Sequence, residues 1–97
     1  MNTDKILEKV LTYLDNEHKD YRAFIARQSY APSIPSKADE IALIKNSAKG
    51  ALDRGMGVVM FAQDLGVKYD DINKPYEEFK EGILTLKRIG LNTAKNL

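Results

Sequence analysis

One histidine, His18, and no cysteine stand among the 97 residues, so few side chains are available for chemistry. An imidazole titrates near neutrality, which suits a general base, a pH-sensitive switch or a ligand contact. His18 falls on an apolar stripe between Leu14 and Tyr21, however. The plainer expectation is a core or boundary histidine, hydrogen-bonded to a tyrosine or carboxylate across the fold. A polar residue on such a seam can also fix register and oligomer state. With one histidine and no thiol, any metal site would rest on carboxylates, and no cofactor is expected. Arg54-Gly55-Met56-Gly57 offers glycines and a cation to a phosphate, but it continues a helical pattern. It matches neither G-x-x-x-x-G-K-[ST] nor G-x-G-x-x-G, so the glycines read as packing positions. Several serines beside one histidine imply no nucleophile–base pair.

The run Glu77-Glu78-Phe79-Lys80-Glu81 sets carboxylates three and four residues apart, where a helix brings them to one face. Such a face can hold Mg²⁺ against a triphosphate. The Glu-Glu-x-x-Glu pattern resembles one half of the magnesium site in all-α nucleotide pyrophosphatases of the MazG kind. That resemblance covers five residues and implies a second acidic motif on a later helix. Sixteen residues follow Glu81, and none is acidic. Glu81 also points away from the apolar stripe that runs from 72 to 86. The cluster therefore reads as a solvated face. The chain is expected not to be an enzyme, with a metal-dependent phosphohydrolase as the catalytic alternative.

Charge gives no footprint for a polyanion. Fifteen basic and fourteen acidic residues leave a net charge of +1, with the signs interleaved. Arg22, Arg27 and Tyr30 form a small basic–aromatic group, but Asp15, Glu17 and Asp20 dilute it. Phosphate contacts supply most nucleic-acid affinity, so nucleic acid is not expected as a partner. The longest apolar run, 58–62, has five residues, far short of the ~20 that a membrane helix needs. The opening Met1-Asn2-Thr3-Asp4-Lys5 lacks the pattern of a secretory signal. A cytoplasmic chain without a membrane anchor is expected. Apolar content of 43% and charged content of 30% are ordinary for one globular domain.

These side chains must be positioned by helices. Leu7, Leu11, Leu14, His18, Tyr21 and Ile25 recur at spacings of four and three, with Ile6, Val10, Tyr13 and Phe24 widening the stripe. This first helix spans about 4–29, with Thr3 as its N-cap, and Pro32 and Pro35 lie beyond its end. Ser36-Lys37-Ala38-Asp39 resembles a capping box and opens a second helix, about 37–65. Its stripe is Ile41, Ile44, Ala48, Leu52, Val59 and Ala62. Leu65-Gly66-Val67 is its stop. A kink or break is expected near Gly55 and Gly57. Ile72, Tyr76, Phe79, Ile83 and Leu86 mark a third helix, about 71–89, with Pro75 in or near its first turn. Gly90 is expected to end it, leaving 91–97 as a frayed tail. The fold class is all-α: a single-domain antiparallel bundle made of a long helical hairpin and a shorter third helix.

Roughly 27–29 residues give each of the first two helices about 40 Å, whereas roughly 16–18 give the third about 25 Å. A short third helix cannot cover both long ones. Val58, Val59, Met60 and Phe61 also point in four directions, and a helix apolar all round must be buried all round. The expectation is a partner: a second copy of the chain, a higher oligomer, or another protein, held at Met56, Val59, Met60 and Phe61. The alternative is a break at the glycines, with 58–65 as a short fourth helix inside a monomer. The function expected is a non-enzymatic interaction or regulatory module. In size and architecture alone it is similar to small bacterial and phage accessory factors, bacteriocin immunity proteins among them. A small-ligand binder is the alternative, for a metabolite or nucleotide, with a pocket between helices or subunits lined by His18, Tyr21, Arg54 and Tyr76.

Overall fold

In the computed structural model, which describes residues 2–27 and 36–95, three helices follow one another: α1 (Thr3–Arg27), α2 (Lys37–Asp64) and α3 (Tyr69–Lys95). The fold is a small all-α bundle. Asn2, rather than Thr3, caps α1. Its Oδ1 accepts from the Asp4 amide at 3.0 Å, and its carbonyl accepts from the Ile6 amide at 3.3 Å. Thr3 is already the first helical residue. The stripe then buries Val10, Leu14, Tyr21 and Ile25. The expected end near Ser29 and the linker from Tyr30 to Pro35 lie outside the described residues.

Ser36 caps α2 from extended backbone. Its Oγ accepts from the Asp39 amide at 3.1 Å and donates to Asp39 Oδ2 at 2.9 Å. The helix then runs as one piece through Gly55 and Gly57, so the alternative of a break does not occur and 58–64 is no separate helix. Gly55 is buried there, and a Cβ on it would collide with the Phe79 ring and lie 3.2 Å from Leu14 Cδ2. At this point all three helices approach closely. The end of α2 is a Schellman motif. The Val67 amide reaches the Ala62 carbonyl at 3.0 Å and the Gly66 amide reaches that of Gln63 at 3.0 Å. Gly66 takes φ 105°, and Val67 is buried.

The third helix overturns two expectations. It holds 27 residues rather than roughly 16–18, and it continues through Gly90 to Lys95. The reason is packing. Gly90 and Ala94 continue the buried face of Ile72, Phe79 and Ile83, and Ala94 is fully buried. Pro75 is the seventh residue of the helix, not part of its first turn. It withdraws the N–H that would otherwise meet the Asp71 carbonyl.

The side-chain contacts are those of an up–down–up order. Arg54 on α2 reaches Glu17 and Tyr21 reaches the Ile44 carbonyl, so α1 and α2 run in opposite senses. Lys37 Nζ, at the start of α2, donates to the Lys95 carbonyl at the end of α3, at 2.9 Å. The molecule measures 49 × 17 × 16 Å. Ile44, Ala62, Ile72, Ile83 and Ala94 form a core with no exposed surface. Helices of 25, 28 and 27 residues cover one another along their length. With the third helix as long as the other two, no partner is needed to cover their length, contrary to expectation.

Candidate functional site

The outer side of α2 departs from ordinary burial. Apolar residues at 44, 48, 51, 55, 59 and 62 face the core. The same segment also carries Met56, Met60 and Phe61, which stand 46%, 57% and 64% exposed. A helix of this kind has more apolar side chains than one inward face can take. Val59 belongs to the core at 4% exposure, so it separates from the other three expected interface residues. Val58 is half-buried. Gly57 lies between the two methionines and Phe61, and a Cβ there would meet nothing within 4 Å. The centre of α2 is therefore covered on its inner side by its own chain and open on its outer side.

Beside Phe61, an apolar groove of about 290 Å³ runs between α1 and α2, lined by Ile6, Val10, Tyr13, Val58, Ala62 and Leu65. Further along the same pair of helices, Arg54 holds Glu17 in a bidentate ion pair, both bonds 2.9 Å. The Glu17 side chain is only 15% exposed. Its hydrogen bond from Arg54 holds the carboxyl below the ordinary carboxylate value, and the same pair raises the guanidinium. The Tyr13 hydroxyl, raised chiefly by burial, joins this network. Tyr21 is buried, donates to the Ile44 carbonyl at 3.0 Å, and is pushed up to about 12 by that burial. Its ring stacks on Phe24 with centroids 6.0 Å apart.

His18 lies in a different groove, of about 390 Å³ between α1 and α3, with Asp15, Glu78 and Phe79 among its walls. Gly82 makes room for the ring, because a Cβ there would lie 2.8 Å from Nε2. Arg22 approaches Nδ1 at 3.0 Å. A guanidinium only donates, so Nδ1 accepts and the neutral ring carries its proton on Nε2. Burial first, and Arg22 second, hold the imidazole below its ordinary value against the pull of Asp15. The expected tyrosine or carboxylate partner across the bundle is replaced by an arginine one turn along the same helix. Tyr76 sits apart from this groove and takes the Lys80 ammonium over its ring at 4.6 Å. Of the four residues expected around one pocket, Tyr21 and Arg54 line a common groove between α1 and α2, whereas His18 lines the α1–α3 groove and Tyr76 lines neither.

Glu77 is engaged by Lys80 at 2.8 Å, and Glu81 is exposed. Among the described residues, no three acids or histidines converge as metal ligands would. Two residues to which the sequence alone assigns no site role matter here. Glu17 has no signal of its own, because its partner is 37 residues away. Glu40 is 97% buried, with an Oε1 that has no hydrogen-bond partner. Its place one turn before Ile44, on the inward stripe, was the available sign. No helix among the described residues is long and apolar enough to cross a membrane. Compared with known proteins, the chain matches no family model, no curated protein and no solved structure.

Proposed function

We propose that this chain is a non-enzymatic interaction module that docks a protein through the outer face of α2. The reading is carried by Met56, Met60 and Phe61, three large apolar side chains left in water on successive turns around Gly57. Single exposed apolar residues are ordinary, whereas a cluster on a rigid element is a site where burial is still to be gained. Methionine suits such a face, because its flexible thioether adapts to a partner's contours. The test compares proteins retained from the native cell extract by the wild type and by Met60→Asp and Phe61→Asp. Both positions are exposed, so both variants should keep the helical circular-dichroism spectrum and lose the retained protein. Retention unchanged by either substitution would end the reading.

A second reading, small-ligand binding, has its support in the α1–α3 groove around His18. Its volume falls in the range of small-molecule sites. Asp15 and Glu78 suit a cationic amine there and oppose the phosphates of a nucleotide. A thermal-shift panel of polyamines against nucleotides tests this, since a ligand that binds the folded state raises Tm. A panel without any shift would remove it.

A further inference from the structure

On the outer face of α2, one lysine and one aspartate, Lys49 and Asp64, exchange places when the helix is reversed about its exposed apolar patch. From its start the face carries Lys45 and Lys49, then Asp53, then Met56, Gly57 and Met60, and in its last turn Asp64, all exposed. At 100° per residue, Lys49, Asp53, Met60 and Asp64 fall within about 60° of one line along the helix. Resting on the docking reading above, we propose that the occupant of this face is a second copy of the chain. Its α2 lies antiparallel to the first, across a twofold axis passing between Met56 and Gly57.

The spacing supplies the register. Lys49 and Asp64 stand at equal distances of about 11 Å on either side of that axis, at 1.5 Å per residue. Each Lys49 therefore meets Asp64 of the partner subunit, twice by symmetry. Lys49 also holds Asp53 of its own chain at 3.4 Å, so that charge is engaged where Met60 of the partner subunit packs. Gly57 presents bare backbone at the crossing, with nothing within 4 Å of its missing Cβ. The helices can approach there while the methionines interleave. A parallel pairing would set Lys49 against Lys49 and Asp64 against Asp64, and like charges across an interface oppose it. With the axis there, the two α2 helices overlap over residues 49–64, about 24 Å at 1.5 Å per residue, so the contact is a small one that rests on the paired charges and the interleaved methionines.

The test is the mass of the full chain in solution, by light scattering behind size exclusion. The wild type should be a dimer. Lys49→Asp and Asp64→Lys should each weaken self-association at least about tenfold while keeping the helical spectrum, because each places like charges together twice. An equimolar mixture of the two variants should restore the dimer, since each then meets its opposite charge. The proposal is overturned by a wild type that stays monomeric at about 100 µM, by a dimer indifferent to both variants, or by a mixture that stays monomeric. The docking reading fails separately. A monomeric wild type that still loses a retained protein on Met60→Asp would sink the second copy and leave the docking face standing.

Discussion

Gly55 and Gly57 lie two residues apart on α2 and have opposite surroundings, which makes them a matched pair for substitution. A methyl at Gly55 would press on the Phe79 ring and on Leu14, both buried, and neither can swing away. A methyl at Gly57 would meet open space. Gly55→Ala should therefore cost about 1–3 kcal/mol through overpacking. Gly57→Ala should gain up to about 1 kcal/mol from helix propensity, or about 4–8 °C in Tm. Urea and thermal melts at low concentration check both. A second residue-scale test uses pH. Arg54 depresses the Glu17 carboxyl below its ordinary 4.5. The unfolded chain thus takes up that proton first, and the stabilisation, full above 4.5, is lost as pH falls through the lowered value. Arg54→Met should flatten this acid limb and cost roughly 1 kcal/mol at neutral pH, a modest figure because the arginine is half in water. Neither result was legible from residue order. Gly55 and Gly57 look alike in sequence, and only the register between helices places Phe79 against one of them. The Arg22 contact to His18 did lie within reach, one turn away on the same helix. The ring turns toward it because Gly82 opens the space.

At the scale of elements, Gly66 and Gly90 show how one residue type carries two meanings. Both follow an apolar residue late in a helical pattern, and by sequence both read as the end of a helix. Gly66 does so, with positive φ and two backbone bonds closing the turn. Gly90 instead sits buried within α3, and the helix goes on to Lys95. What distinguishes them is the sequence that follows. Leu91 and Ala94 continue the inward face after Gly90, but a glycine and an alanine give that stripe little hydropathy to detect. The amphipathic stripes, the Ser36 cap and the Gly66 stop were all readable, because each depends on residues within five positions of one another. The last turns of α3 depend on what the far ends of the other helices offer. Truncation after Gly90 should then lower stability by roughly 2 kcal/mol, by removing the half-buried Leu91 and the buried Ala94. A denaturant titration would show it, and an unchanged midpoint would mean those turns contribute nothing.

For the whole molecule, three helices of nearly equal length complete one core, and apolar surface is left outside on α3, at Tyr69, Leu84 and Ile89, as well as in excess on α2, at Met56, Met60 and Phe61. The excess was visible in the sequence, where 58–61 is apolar in every direction. Its side was not, because which of Val59, Met60 and Phe61 turns inward depends on where α1 and α3 lie. The four residues joining α2 to α3, from Leu65 to Lys68, bear on how this arrangement comes about. So short a connection closes at little entropic cost, and the Gly66 conformation aims the chain back along its own path. The hairpin of α2 and α3 is accordingly the expected folding nucleus, on which α1 would condense afterwards. Gly66→Ala should slow refolding in stopped-flow while leaving the unfolding rate nearly unchanged, since interactions formed in the transition state act on the forward rate. The reverse pattern would place the nucleus elsewhere. If refolding slows as expected, one left-handed glycine sets the sequence of events in time as well as the path of the backbone in space.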